Sequence, residues 1–141
     1  SREIKMVQRI IEHHLRPTQM SDGGLPSSRA IYRYFRDTGD EGIDVIFLSL
    51  ADHLATRGPM LDMDEWHKHA QMMEYVLEER SKESVVRPPK LIDGHDLINI
   101  FGMSPGPRIG LLLEEVRQAQ AEGEIKTREE AISFVANRLK P

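Results

Sequence analysis

The chain of 141 residues contains no cysteine, which excludes disulfides and thiolate metal sites and leaves any metal ion to His, Asp or Glu. Aromatic residues are scarce at 6%, with a single tryptophan, too few for a platform that stacks single-stranded bases. No apolar run approaches the roughly 20 residues of a transmembrane helix. Ser1-Arg2-Glu3 leads into a charged amphipathic stretch rather than a signal peptide. Positive charge is not in excess either. The net charge of −4 argues against a wholesale nucleic-acid coat and leaves room only for a local basic face. No segment alternates with period two, so strands are not expected. What is present is a globular composition, 39% hydrophobic and 30% charged, fitting a cytoplasmic protein of one ordinary domain or two small ones.

The apolar residues recur at helical spacing throughout, which predicts an all-α fold. Ile4, Val7, Ile10, Ile11 and Leu15 mark a helix over 2–15, stopped by Pro17. It begins without a capping residue, as expected of a chain cut from something longer. Residues 18–26 read as a loop punctuated by Gly and Pro. Ser27 or Ser28 can cap a helix carrying Ile31, Tyr34 and Phe35 that ends near Gly39. Asp40 can cap the next helix, which closes at Gly58-Pro59. Its centre, Ile43 to Leu54, is apolar nearly all round, the pattern of a helix buried on most sides.

Asp62 or Asp64 opens a fourth helix with a stripe of Trp66, Ala70, Met73 and Leu77. Residues 81–90, "SKESVVRPPK", cannot continue it through Pro88-Pro89. Residues 84–90 therefore read as a linker between a first unit, 1–83, and a tail unit, 91–141. In the tail, Asp93 can cap a short helix with Leu97, Ile98 and Phe101, stopped by Gly102. Pro107 suits the first turn of another, with Ile109, Leu112, Leu113 and Val116 inward and Gly123 past its end. Thr127-Arg-Glu-Glu130 spells a capping box before Ala131, Phe134, Val135 and Leu139.

Several residues are candidates for chemistry. Asp52 lies within the most apolar helix, where an ionised carboxylate needs a partner. It reads either as one member of a polar stripe with Ser49, His53 and Thr56 or as a metal or phosphate-site carboxylate. His13 and His14 point about 100° apart on a helix and are no bidentate pair. Arg29, Arg33 and Arg36 fall on successive turns, a stripe that either meets an RNA backbone or is solvated and paired with carboxylates such as Asp37. His67 and His69 flank Lys68 and read as surface residues, and the Met-rich stretches as adaptable core. In "FGMSPGPRIG", Gly106 and Gly110 bracket a helix start where backbone N–H groups and Arg108 could take a phosphate. The alternative is that these glycines only let two short helices pack closely. From position 84 onward eight basic residues face eight acidic ones, so RNA affinity there would be local and modest.

"FLSLADHLATRG" resembles the closing motif of the HD superfamily of metal-dependent phosphohydrolases. "IIEHHLRPTQM" is similar to the His-containing helix that precedes it in one branch. That branch is the HD-containing tRNA nucleotidyltransferase and poly(A) polymerase family. "LIDGHDLINIFGMSPGPRIGLLLEEVRQAQAEGEIKTREEAI" resembles the family's tail, with its Gly-x-Asp-Leu, Pro-Gly-Pro-x-Ile-Gly and Gly-x-Ile-x-Thr-x-Glu-Glu-Ala pattern. The resemblance implies RNA as partner, no membrane, and an RNA-binding and scaffold role in RNA 3′-end processing. The parent's head would use Mg²⁺ with ATP or CTP. That head carries a Gly-Ser motif and paired aspartates, absent from these 141 residues, as are the earlier members of an HD site. Asp52 and His14 would be the remnant of that site, and a divalent metal would bind only if it were intact. The fragment is thus expected to be catalytically silent and to bind no cofactor. The alternative is part of an HD phosphohydrolase acting on phosphoesters. His95-Asp96 is a coincidence: His95 falls at the free position of Gly-x-Asp-Leu, and Asp96 can partner Asp93 in a cap. Apolar faces exposed by truncation would favour a homo-oligomer.

Overall fold

The computed structural model describes residues 1–20 and 23–140. Among them the chain is helical, with no strand. Helix α1 runs Arg2–His13 and is capped after all: the Ser1 hydroxyl accepts from the Ile4 N–H at 3.3 Å. A short α2, Arg16–Gln19, follows, with Pro17 in its first turn. Proline has no N–H to lose there, so Pro17 starts a helix where the sequence predicts a stop, and α2 takes the beginning of the expected loop. Ser21 and Asp22 of that loop lie outside the described residues.

Ser27 is the cap of α3, Ser28–Thr38, through the Ala30 N–H at 3.2 Å. Ile31, Tyr34 and Phe35 are buried as their spacing predicts, joined by Tyr32 and Thr38. Asp40 does not cap the next helix. It sits in a 3₁₀ turn, Gly39–Glu41, and α4, Gly42–Arg57, begins without a side-chain cap. Close packing fixes that junction. A Cβ on Gly42 would lie 2.5 Å from Thr38 Oγ1, and the Tyr34 hydroxyl donates to the Gly42 carbonyl at 2.6 Å.

Helix α4 is the main departure from expectation. It buries only a stripe of Val45, Ile46, Ser49 and His53 besides Gly42, while Phe47 is 59% exposed and Leu48, Asp52 and Leu54 are exposed too. Its apolar sequence predicts burial on most sides, but among the described residues its main packing is against α1, α2, α3 and α5 and the turns at its ends. Helix α1 buries no residue at all; its Ile4, Val7 and Ile11, and Leu15 just beyond it, are exposed.

Asp62 caps α5, Met63–Arg80, by accepting from the Asp64 and Glu65 N–H groups. The buried stripe of α5 is His69, Met73, Val76 and Glu79, so the stripe predicted through Trp66 and Leu77 is rotated. His69, expected at the surface, is 8% exposed. Within the expected linker, Glu83–Val86 forms α6, and Val85 completes the first core with Ile31, Tyr34, Phe35, Val45, Ile46, Met73 and Val76.

The second core belongs to α7 (Gly94–Phe101), α8 (Pro107–Ala121) and α9 (Arg128–Leu139), around Leu97, Leu112, Val116, Ala131 and Val135. Its caps follow the sequence. Asp93 accepts from the Asp96 N–H at 3.1 Å while its own N–H donates to Asp96 Oδ2 at 2.9 Å. Gly102 ends α7 in the left-handed region at φ +62, and Thr127 with Glu130 closes the second capping box. The two cores meet where α8 packs on α3 and α6. No helix among the described residues is long and apolar enough to cross a membrane.

Candidate nucleic-acid interface

The arginine stripe of α3 points at α8. Arg29 Nη2 pairs with Glu122 at 2.6 Å, and Arg33 donates through Nε and Nη2 to Gln118 Oε1 at 3.1 and 2.6 Å. Arg36 donates to Asp37 at 2.7 Å and also to Glu114. Glu114 is shared further: Tyr32 Oη donates to it at 3.2 Å and Gln118 Nε2 at 3.0 Å. Partial burial works to raise the Glu114 carboxyl, but hydrogen bonds from Gln118 and Arg36 outweigh it and hold the group below its ordinary value. The stripe therefore bonds two helices together, and its charge is largely matched. An open three-arginine face is not what it presents.

A different basic surface lies beside it. Where α3, α5, α6 and α8 converge, a cleft of about 360 Å³ is lined by Arg36, Arg80, Arg87 and Arg117 with Tyr32 and Asp40. The Arg80 guanidinium lies over the Phe35 ring, 5.5 Å from its centroid, a contact that holds a cation without neutralising it. Arg117 reaches Glu114 only at 3.9 Å, and Arg87 has no ion pair among the described residues. With Arg36 already held by Asp37 and Glu114, the guanidiniums of Arg80, Arg87 and Arg117 against one lining carboxylate, Asp40, make a pocket suited to phosphate oxygens, which planar donors grip two at a time. Arg80, Arg87 and Arg117 come from three separate stretches of chain. Periodicity along one helix cannot bring them together, so sequence reading missed them.

The hairpin before α8 presents backbone of the expected kind. Gly106 is the residue before the helix, Pro107 occupies its first turn, and Arg108 is exposed with no ion pair among the described residues. A Cβ on Gly106 or Gly110 would meet nothing within 4 Å. Helix packing therefore does not demand glycine at either position. The close approach is at Gly94 instead, where a Cβ would lie 3.3 Å from Ile109 Cγ2.

The residues proposed by resemblance as an HD remnant do not fit a divalent metal. Asp52 is exposed, and the His14 ring places Nδ1 2.6 Å from the Ile11 carbonyl of its own helix. Among the described residues no group of three or more His, Asp or Glu could hold a metal ion. His95 is exposed, and Asp96 is engaged on both sides, capping α7 and receiving Arg128 at 2.6 and 3.0 Å. The Arg128 contact, then the cap, lowers the Asp96 pKa to about 2. The His-Asp dipeptide is structural.

Comparison with known proteins gives the chain a family. Residues 59–136 match the family model of tRNA nucleotidyltransferase domain 2. An A-adding tRNA nucleotidyltransferase of Deinococcus radiodurans is 39% identical over 114 residues, covering 79% of this chain and 26% of the relative. A CC-adding tRNA nucleotidyltransferase of Thermus thermophilus is 34% identical over 112 residues, covering 79% and 24%. A CCA-adding enzyme of Streptococcus pyogenes is 32% identical over 100 residues, covering 67% and 23%. The chain thus spans about a quarter of the length of the curated relatives it matches. No solved structure matches it. The family match runs from just before α5 through most of α9, taking in the second core and, of the arginine cleft, Arg80, Arg87 and Arg117, and the chain belongs to the tRNA nucleotidyltransferase domain 2 family.

Proposed function

We propose that this chain is the tRNA-binding and scaffold portion of a cytoplasmic tRNA nucleotidyltransferase. Nucleotide addition, with ATP or CTP and Mg²⁺, would belong to a head whose Gly-Ser and paired-aspartate motifs are not among these residues. The observation that carries the reading is the cleft of Arg36, Arg80, Arg87 and Arg117 in a chain whose net charge is −4. Charge is concentrated there rather than spread, as backbone-positioning contacts require. The open hairpin at Gly106, Arg108 and Gly110 offers a second phosphate contact, while Arg29 and Arg33 contribute by holding α8 in place. The two apolar clusters favour a division into two units joined between Val86 and Leu91.

The test is tRNA binding by fluorescence anisotropy across a salt series. Each lost phosphate contact lowers the slope of log affinity against log salt by about one. Arg87→Glu with Arg117→Glu should therefore weaken binding roughly tenfold or more near 0.1 M salt and flatten the slope by about two. Affinity and slope unchanged in a folded double variant would remove the cleft from the interface.

A further inference from the structure

A cavity larger than the arginine cleft lies elsewhere, between α4, α5 and residues 23–25. It measures about 660 Å³ and is lined by His53, His69, Arg57, Lys68, Glu65 and Leu25, among others. The two imidazoles stack face to face, with centroids 4.7 Å apart and planes 14° from parallel. Trp66 backs His53 at 5.7 Å, and Ser49 Oγ lies 3.4 Å from His69 Nε2.

His53 is the unexplained member. The residue is 8% exposed, yet its Nε2 has no hydrogen-bond partner. A buried polar nitrogen left unpaired is costly, and such groups in a native fold call for a reason. Burial first, and then the charge of Arg57 on His53 and the competition of the neighbouring His53 ring for a proton on His69, hold both rings below the ordinary imidazole value. Neutral imidazoles can donate and accept at once, which suits the edge of a base better than a simple anion.

The rim supplies the rest. Arg57 has only a long contact to Glu65, 3.7 Å, and Lys68 has no ion pair among the described residues. Leu25 adds an apolar wall that is 63% exposed. A cavity of this size matches a small organic ligand rather than an ion alone.

We propose that this cleft binds a single nucleotide unit, its base against the His53–His69 pair and Leu25 and its phosphate on Arg57 and Lys68. Glu65 is placed to accept from an exocyclic amine or a ribose hydroxyl. The unit is either a free nucleotide or one residue of an RNA strand. The site is separate from the arginine cleft, and neither reading needs the other.

The experiment is titration of the 141-residue chain with AMP, and separately with a single-stranded RNA hexamer, following the imidazole resonances of His53 and His69 by NMR. Saturable shifts of both rings, at least tenfold weaker in Arg57→Ala/Lys68→Ala, are expected. His53→Phe keeps the ring packing but removes the nitrogens, and should lose the response at His69 while the fold persists. Saturation by AMP at concentrations no higher than the hexamer assigns a free nucleotide; tighter binding of the hexamer assigns an RNA residue. Equal shifts with inorganic phosphate, or no saturation with either probe, would overturn the proposal. Arg87→Glu/Arg117→Glu should leave the AMP response intact, so this site and the arginine cleft fail independently.

Discussion

At the scale of single residues, His53 and His69 carry a pH dependence whose direction follows from their burial. Their folded-state values lie below the ordinary imidazole value, so at falling pH the unfolded chain takes up protons first. Stability should therefore decline as pH drops below about 6.5, the unfolded imidazole value. The decline should level off once pH passes below the folded values. Urea denaturation at pH 7.5 and pH 5.5 checks this, with His53→Phe/His69→Phe flattening the dependence. A steeper loss in the double variant would assign the effect to other groups. Neither histidine was legible as a site. His69 follows two charged-looking neighbours, and His53 follows the more conspicuous Asp52, which the fold turns outward. By contrast, Ser27, Asp93, Thr127 and Gly102 were readable because a cap is decided by bonds within three or four residues.

At the scale of helices, local pattern located most elements but misjudged what covers them. The apolar content of α4 is real, yet burial depends on what packs against each face, which periodicity does not record. The outward side of α1, with Ile4, Val7 and Ile11, the following Leu15, and the outward side of α4, with Phe47, Leu48 and Leu54, are apolar surface without a cover among the described residues. Faces of that kind favour association, so we propose that the isolated chain self-associates through them. Light scattering at increasing concentration should show a mass above the monomer, and Phe47→Glu/Ile11→Glu should return it to monomer. A concentration-independent monomeric mass for the unmodified chain would sink the idea. Two short elements escaped reading for another reason. Helices α2 and α6 have four residues each, too few to show a period, and each is held by tertiary contact through Pro17 or Val85.

At the scale of the whole molecule, the two cores touch through a joint made mostly of polar bonds. The all-α class and the tail helices could be read from the sequence; the joint could not, because it pairs residues some 80 positions apart, Arg33 with Gln118 and Tyr32 with Glu114. Glu114 sits at its centre, accepting from Tyr32, Arg36 and Gln118. Concentrating the joint on one carboxylate has a consequence for cooperativity. A chain with two cores melts in a single step only while the coupling between them exceeds the difference in their separate stabilities. Glu114→Ala removes both of its bonds to α3 at once, from Tyr32 and Arg36, and calorimetry should then resolve two transitions or one distinctly broadened one. A single sharp transition at lower temperature would mean that the remaining contacts of α8 with α3 and α6 are enough. Whether the two cores melt as one body or as two tethered ones thus turns on how much of the coupling runs through Glu114 and how much through the Arg29–Glu122 and Arg33–Gln118 bonds beside it.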